Sequence, residues 1–427
     1  MGGVACVPVA GVVMARPEPR SIPVDDAGDR LSAFGRWIRP RRNLALFFGA
    51  VVWTVWLVSV LGGRGPLDLF GNVKGADFME FYTAGRIVGG GDSARLYDFE
   101  LQERIEHELT TPAQWSGVHA FIYPPFFALP FVPLARLPYG AAYLVWTATG
   151  LFLLVLALRA ASGAEWGARL RWALAFVPVF AAVSYGQNSL VSLGILGATY
   201  ALLRDGRDAT AGLVLGLLSY KPQLVALPAL FLLLARRWRA LAGVAVAVAL
   251  LVAVALLVVP NALRVYLELA RWLPAVTATR DPMWKSHSWL GFFALILPGE
   301  PGLAGALAAF AALATIVVVR RLQPAWSRDE LPRWFAGTML ATVLASPHLM
   351  LYDLSLLVLA GVLIPVEVLA ADRALGAFAA IWIAAGLSQP LALVLRQAVG
   401  ASVQLSVPVL AVCGVLLLRD RAWTTSR

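Results

Sequence analysis

The stretch KGADFMEFYTAGRIVGGGDSARLYDFELQERIEHEL, residues 74–109, is a polar insert in a chain otherwise built of long apolar runs. After a short polar gap the chain continues as FIYPPFFALPFVPLARLPYG, residues 121–140. Of its 427 residues, 59% are hydrophobic and only 14% are charged. Because soluble domains carry about 25% charged residues, this composition predicts an all-α integral membrane protein. So dense a polar insert in such a protein predicts a functional segment.

Short basic clusters set the predicted topology. Arg39, Arg41 and Arg42 precede the run NLALFFGAVVWTVWLVSVL, and arginines recur between later apolar runs. Cytoplasmic loops carry such an excess, which places both termini in the cytoplasm and residues 63–138 outside it. The apolar runs add up to roughly twelve spans, with a second extracytoplasmic loop at 261–300. The formal net charge of +10 is thereby explained by topology, and no nucleic-acid partner is expected.

The domain organisation is predicted to be simple. Residues 41–427 form one helical membrane bundle, and residues 1–40, which lack the basic start of a secretory signal, form a disordered cytoplasmic tail. Within the first extracytoplasmic loop, YPPFFALPFVPLARLP contains five prolines. Such a segment predicts a re-entrant or interfacial element, because irregular backbone at membrane depth is tolerated only where it lines a cavity. The segment ARLYDFELQERIEHEL has helical periodicity and is expected at the membrane surface.

The sequence contains no cofactor motif. Cys6 and Cys413 are too far apart to indicate a disulfide framework or a metal cluster, and no glycine-rich nucleotide fingerprint, Walker sequence or His-rich motif is present. We therefore expect no cofactor and no metal site, although Glu80 near Asp77 leaves a divalent metal open. Without a nucleotide-sugar domain, a sugar donor would be lipid-linked.

Asp77 is the candidate catalytic residue. It follows the first span in GADF, on the predicted outer side. One hypothesis makes it a general base that takes a proton from an acceptor hydroxyl, as inverting sugar transfer requires by analogy with glycosidases. The alternative is a solvated carboxylate or a partner of Arg86.

Lys221 is the candidate cation for a leaving phosphate. It lies in SYKPQ between two apolar runs, where an ammonium costs about 2.5–3.5 kcal/mol and needs a partner; the alternative is snorkelling to the headgroups. Pro222 favours a helix break next to it. In SPHLMLYD, His348 either ends a helix or contacts phosphate or sugar, and Asp353 must pair with Lys221 or His348.

Other polar residues allow two interpretations each. Gln187 and Asn188 in YGQN suit sugar hydroxyls or ordinary helix capping. His287 in PMWKSHSW suits an interfacial aromatic belt or a sugar platform, and Tyr123 in FIYPP is equally open.

Four blocks together resemble glycosyltransferase family 87, enzymes of the multi-span GT-C fold that use polyprenyl phosphate sugars. The blocks are GADFMEFYTAGRIVGGGDSARLYD, YPPFFALPFVPLARLP, YGQNSLVSLGILGATYALLRDGRDATAGLVLGLLSYKPQ and SPHLMLYDLSLL. The resemblance implies transfer of mannose or a related sugar from a polyprenyl phosphate donor to a lipid or glycan acceptor outside the cytoplasmic membrane. It implies Asp77 as the base, with Lys221 and His348 near the donor phosphate.

Secondary site candidates and two other functions complete the hypotheses. Glu80 and Tyr82 lie in the same block as Asp77 and are secondary candidates, as are His287 and Asp353. A flippase or transporter of a lipid-linked sugar would share apolar spans and an interior polar site but would show internal repeats. A surface polysaccharide polymerase or ligase would rely on arginines in the second outer loop. We expect the enzyme in the inner membrane, with its site facing the exterior.

Overall fold

The computed structural model describes residues 24–111, 118–272, 283–364, 372–400 and 402–419. Helices joined by loops make up these ranges. Extended pairing within them is limited to two isolated antiparallel bridges, Leu67–Val73 and Ser286–Met350. The predicted all-α class is therefore confirmed for the described part of the chain. In chain order, the helices are α1 (Val24–Ile38), α2 (Arg42–Gly62), α3 (Phe78–Gly89), α4 (Phe99–Thr110), α5 (Phe131–Leu134), α6 (Tyr139–Ser162), α7 (Trp166–Ala175), α8 (Val177–Ser184), α9 (Ser189–Arg204), α10 (Asp208–Gly216), α11 (Pro222–Leu234), α12 (Trp238–Val258), α13 (Pro260–Ala270), α14 (Trp289–Ile296), α15 (Pro301–Leu322), α16 (Leu331–Ala345), α17 (Leu357–Leu363), α18 (Asp372–Val399) and α19 (Ser406–Arg419).

Five helical segments of the described chain are long and apolar enough to cross a membrane. They are Ala27–Gly62, Tyr139–Ala175, Trp238–Val258, Pro301–Leu322 and Asp372–Val399. Shorter apolar helices accompany them, among them α9, α11 and α19. This arrangement supports a multi-span helical bundle. The count of roughly twelve spans and the membrane side of each loop stay predictions.

The N-terminal segment differs from the disordered tail expected over residues 1–40. Residues 24–38 form α1, which packs along α18, so that prediction is wrong for this part; residues 1–23 lie outside the described residues. Gly35 and Gly376 allow the contact, because a side chain at either would collide with the backbone of the other helix: a Cβ on Gly35 would lie 1.7 Å from the Asp372 carbonyl oxygen. Small residues permit such close helix packing. Arg39 adds an ion pair of 2.6 Å to Asp372.

The polar insert folds into two short helices: α3 packs on α5 and contacts α6, and α4 packs on α3. Asp98 caps α4, accepting a hydrogen bond of 3.0 Å from the backbone N–H of Leu101, which confirms the helix expected there. The proline-rich segment does not span the membrane as one helix. It forms a 3₁₀ turn at Pro125–Ala128 followed by α5, and Gly85 of α3 lets the backbone of Phe131 approach closely. Its re-entrant position in the bilayer stays a prediction.

The expected break at Pro222 is confirmed. After α10, a 3₁₀ turn at Leu217–Tyr220 leads to Lys221, and α11 begins at Pro222. Proline lacks an N–H and suits the first turn of a helix, where that donor would have no intrahelical partner. The break leaves Lys221 in a non-helical conformation with only 5% of its surface exposed. The lysine is therefore directed into the protein rather than snorkelling to a surface.

Candidate active site

Asp77 and Gln187 meet where two loops cross. Gln187 Nε2 donates a hydrogen bond of 2.8 Å to Asp77 Oδ2, and Gln187 Oε1 accepts the backbone N–H of Asn188 at 3.1 Å. The backbone N–H of Asp77 donates to the Tyr185 carbonyl at 3.0 Å. Asn188 begins α9 without a side-chain capping bond. Of the two interpretations of YGQN, helix capping is thus not realised, and Gln187 instead holds the candidate base.

Two glycines make this loop contact sterically feasible. Gly75 and Gly186 have φ values of +59° and +71°, the left-handed region that side chains disfavour. A Cβ on Gly186 would lie 2.6 Å from the Cβ of Phe78, and one on Gly75 would lie 2.3 Å from the ring of Tyr143. The YGQN loop can therefore pack against the loop of Asp77 only because both positions are glycine.

A row of side chains on α6 supports both loops. Tyr139, Tyr143 and Trp146 are spaced by four and three residues, so they share one helix face. Tyr139 donates to the Lys74 carbonyl at 2.7 Å, and Tyr143 donates to the Val183 carbonyl at 2.8 Å. Trp146 Nε1 donates to the carbonyl of Gly186 at 2.8 Å. The aromatic face of α6 thus fixes the backbone on both sides of the Asp77–Gln187 contact.

Lys221 and Asp353 form a buried ion pair. The Lys221 Nζ–Asp353 Oδ1 distance is 2.7 Å, and both side chains are almost fully buried. Ser189 Oγ donates to the same oxygen at 2.6 Å, and the Met350 N–H donates to Oδ2 at 3.3 Å. The expectation that the buried lysine needs a partner is confirmed. Such a pair is weak evidence for stability, but removing one member leaves an uncompensated charge that costs about 3–5 kcal/mol.

Tyr123 is close enough to both Asp353 and Asp77 for their charges to act on its hydroxyl. Burial raises the pKa of Tyr123 well above its ordinary value, and the neighbouring carboxylates of Glu80, Asp353 and Asp77 raise it further. The phenol of Tyr123 therefore stays protonated and lies among three carboxylates. Tyr352 stands beside it in the cluster, with its ring centroid 5.5 Å from Lys221 Nζ.

Tyr97, just before α4, and buried side chains of α4 hold Tyr123 and the backbone that leads to it. Tyr97 donates to the Tyr123 carbonyl at 2.7 Å. One turn further along, Gln102 Oε1 accepts the N–H of Phe121 at 2.9 Å, and Glu106 Oε2 accepts the N–H of His119 at 2.9 Å. Gln102 and Glu106 are buried and four residues apart, so one face of α4 holds the extended backbone that leads to Tyr123.

The remaining predicted residues differ in how closely they join this cluster. Glu80 is buried on α3 near Tyr123. Tyr82 uses its hydroxyl to hold the Leu137 carbonyl at 2.8 Å, which fixes α3 to the end of the proline-rich segment. His348 is half-buried in the loop before Leu351, and its carbonyl accepts the Ser346 hydroxyl at 3.0 Å.

His287 is not part of an exposed aromatic belt. Its side chain is fully buried, and its backbone N–H donates to the Leu349 carbonyl at 2.7 Å. Burial lowers its pKa to about 3, against the opposing effect of the Asp353 carboxylate. The imidazole is therefore neutral near pH 7 and adjoins the loop that carries the ion pair.

Sequence reasoning missed several residues that organise the site. The spacing of Tyr139, Tyr143 and Trp146 was a visible signal, since three hydrogen-bonding aromatics on one face of an apolar helix seldom serve lipid contact alone. Ser189 and Tyr352 adjoin recognised motifs, in YGQNS and LYD. Gln102 and Glu106 carried no comparable local signal. Within the described residues, no three His, Cys, Asp or Glu side chains come together as metal ligands, and metal independence stays a prediction.

Comparisons with known proteins bear on the family to which the chain belongs. The model of glycosyltransferase family 87 matches residues 121–347, slightly more than half of the chain. That range includes Tyr123, Gln187 and Lys221, whereas Asp77 precedes it and Asp353 follows it. No solved structure matches.

A curated relative also matches. The chain is 31% identical over 216 residues to a protein of Mycobacterium tuberculosis (strain CDC 1551 / Oshkosh) described as polyprenol-phosphate-mannose-dependent alpha-(1-2)-phosphatidylinositol pentamannoside mannosyltransferase. The match covers 47% of this chain and 48% of that protein, so the chain spans about half the length of the relative. With a family match across more than half of its length and a bundle of apolar helices, this chain belongs to glycosyltransferase family 87.

Proposed function

We propose that the enzyme transfers a sugar, mannose by likeness to its relative, from a polyprenyl phosphate donor to a hydroxyl of a lipid or glycan acceptor. The observation that carries the proposal is the carboxylate of Asp77. It is held by Gln187 at 2.8 Å in the same cluster as the buried ammonium of Lys221. A positioned base and a cation are the two groups that such a transfer requires.

In the proposed reaction, Asp77 accepts the proton of the acceptor hydroxyl. The acceptor oxygen attacks the anomeric carbon as the bond between that carbon and the phosphate oxygen breaks. The electron pair of that bond stays on the oxygen, and polyprenyl phosphate leaves. The phosphate needs no proton, because its developing charge is stabilised by cations and hydrogen-bond donors. Attack opposite the leaving group inverts the anomeric configuration.

Lys221 is suited to the departing phosphate. Its ammonium has three donors, and among the described residues one of them is used, by Asp353. Asp353 and Ser189 fix the side chain so that it is oriented before the reaction. His348, in the same loop region as Asp353, is the further candidate for phosphate or sugar contact. Gln187 contacts Asp77 and Asn188 follows it in the chain, and we assign these two amides to the sugar hydroxyls.

The charge pattern of the sequence supports an extracytoplasmic location of the site. The arginines that flank the apolar runs favour a cytoplasmic N-terminus and an extracytoplasmic Asp77, in the inner membrane. A cysteine at Glu108, an exposed position of α4, tests this orientation. We expect a membrane-impermeant maleimide to label it in intact cells without permeabilisation. Labelling that requires permeabilised cells would reverse the proposed topology.

Transfer of labelled mannose from polyprenyl phosphate mannose in membranes tests the reaction. Asp77→Asn and Asp77→Ala are expected to reduce transfer by about a hundred- to ten-thousandfold, the usual effect of losing a general base. Asp92→Asn, an exposed carboxylate of the same polar insert, is the matched control and should transfer normally. Full transfer by both Asp77 variants at normal membrane levels would refute the assignment of the base. Defined lipid and polysaccharide acceptors in the same assay separate single transfer from a polymerase or ligase.

A further inference from the structure

A buried polar contact links the C-terminal helices to the loop before α14. His287 Nδ1 lies 2.7 Å from Ser406 Oγ at the start of α19. The backbone N–H of Ser406 in turn donates to Ser388 Oγ of α18 at 2.8 Å. All three side chains are buried. Ser388 and Ser406 lie beyond the residues that the family model matches, so this contact adds a part of the chain that the family comparison leaves out.

The contact determines which nitrogen of His287 carries the proton. The hydroxyl of Ser406 is buried, and His287 is its hydrogen-bond partner in the described part of the chain. A buried hydroxyl proton without an acceptor is costly, so Ser406 donates to Nδ1. A neutral imidazole then carries its proton on Nε2. The ring is neutral because burial lowers its pKa to about 3.

Nε2 of His287 is buried and has no hydrogen-bond partner among the described residues. Buried polar groups in native proteins nearly always have a partner, and an exception calls for a physical reason such as an absent ligand. The protein around it is rigidly held: Gln404, fully buried, donates to the carbonyls of Trp284 and Ser286 at 3.0 Å each.

The backbone that carries His287 adjoins the loop of the ion pair, since its N–H donates to the Leu349 carbonyl. Ser286 forms an antiparallel bridge with Met350, whose N–H donates to Asp353 Oδ2. The same carboxylate holds Lys221 through Oδ1 and is near enough to His287 to act on its ring electrostatically. A neutral N–H beside a buried ammonium suits an anionic oxygen, since the donor adds a hydrogen bond without adding a charge that would repel the lysine.

We propose that His287 Nε2 donates a hydrogen bond to a phosphate oxygen of the polyprenyl phosphate group, with Ser406 as the positioning residue that fixes the tautomer. This inference rests on the proposed function and names a contact for its donor and leaving group. His287 and Lys221 would therefore both bind the phosphate. The positive charge of the lysine stabilises the phosphate, and the hydrogen bond from the histidine orients it.

Binding of a short-chain polyprenyl phosphate and of the matching polyprenol to the purified full chain in nanodiscs tests the inference. His287→Ala should weaken polyprenyl phosphate binding by about ten- to a hundredfold, the worth of a hydrogen bond to a charged group, and leave polyprenol binding unchanged. His287→Gln keeps an N–H donor and should restore most of the affinity. Ser406→Ala should give a smaller loss, again only for the phosphate. His107→Asn and Ser402→Ala are the matched controls, since His107 is half-buried on α4 and Ser402 bonds a carbonyl of α18.

The outcomes separate this inference from the proposed function. Unchanged phosphate affinity in His287→Ala, or an equal loss for polyprenol, overturns the inference alone. If that variant does not fold, unchanged phosphate affinity in Ser406→Ala overturns it instead. A native protein that binds polyprenyl phosphate through His287 but transfers no sugar refutes the proposed function and leaves the phosphate contact standing. A native protein that binds no polyprenyl phosphate refutes both.

Discussion

Gln187 Nε2 and Asp77 Oδ2 lie 2.8 Å apart although 110 positions separate the two residues in the chain. The contact joins the N-terminus of α3 to the loop before α9, and it gives the carboxylate one fixed direction. A base that must meet an acceptor hydroxyl within hydrogen-bond reach benefits from such positioning.

Removal of the Gln187 donor should therefore reduce transfer. In Gln187→Leu we expect kcat/KM to fall by about ten- to a hundredfold, the worth of a hydrogen bond to a charged group. Gln397→Leu is the matched control, because Gln397 is exposed on α18. Steady-state kinetics in membranes measures both. Kinetics of Gln187→Leu equal to those of the control would mean that the orientation of Asp77 does not depend on Gln187.

Neutralisation of the ion pair should separate its structural role from its chemical role. Lys221→Met alone leaves Asp353 buried and unpaired, which should lower the free energy of unfolding by about 3–5 kcal/mol. The double variant Lys221→Met, Asp353→Asn removes both charges and should recover most of that stability. Thermal unfolding in detergent measures the difference.

In that double variant the stability should recover but sugar transfer should not, because no ammonium remains for the phosphate. A double variant that is both stable and active would remove Lys221 from the proposed mechanism. Glu268→Gln is the control, since Glu268 and Arg264 form an exposed pair at 3.6 Å and such pairs contribute little.

A side chain at Gly186 should affect the site more than one at Gly91. Both glycines have positive φ, +71° and +83°, so alanine at either costs about 1–2 kcal/mol of backbone free energy. At Gly91 nothing lies within 4 Å of the added Cβ, whereas at Gly186 the Cβ of Phe78 is 2.6 Å away. Gly186→Ala should therefore lose stability beyond that of Gly91→Ala and displace Gln187 from Asp77.

Measurement of both the activity and the thermal stability of the two variants checks this comparison. We expect Gly91→Ala to retain its activity at temperatures below its lowered unfolding transition. Gly186→Ala should lose most of its activity even where it is folded. Equal behaviour of the two variants would show that the loop tolerates a shift without consequence for the site.

Protonation of His119 should destabilise the enzyme in acid. Burial and, to a smaller extent, the nearby charge of Lys285 lower its pKa from 6.5 to about 4. Between these two values the unfolded chain binds more protons than the folded one, so stability falls as the pH drops through this window. The loss amounts to at most about 3 kcal/mol.

Unfolding temperatures between pH 7 and pH 4.5 measure this effect. His119→Asn should show a flatter dependence on pH than the native enzyme, and His107→Asn, at a half-buried position of α4, should follow the native curve. A native curve with no decline below pH 6.5 would show that His119 titrates normally in the folded protein.

Local signals in the sequence determined the class of the protein and the residues of greatest interest. Long apolar runs are helical because no water is present in lipid to satisfy the backbone, and proline at 222 ends one helix and begins another. A lysine between two such runs requires a counter-charge, which is why its pairing with Asp353 could be anticipated. These inferences need only neighbouring residues and the bilayer.

Tertiary structure alone decided which partner each polar group found. Gln187 could cap α9 or contact Asp77, and only the close approach permitted by Gly75 and Gly186 selects the second. The packing of α1 on α18 depends on Gly35 meeting Gly376, and the tautomer of His287 depends on Ser406, 119 positions away. Such contacts join elements that are distant in the chain, and their geometry follows from helix packing as a whole. No local pattern in the sequence contains that information.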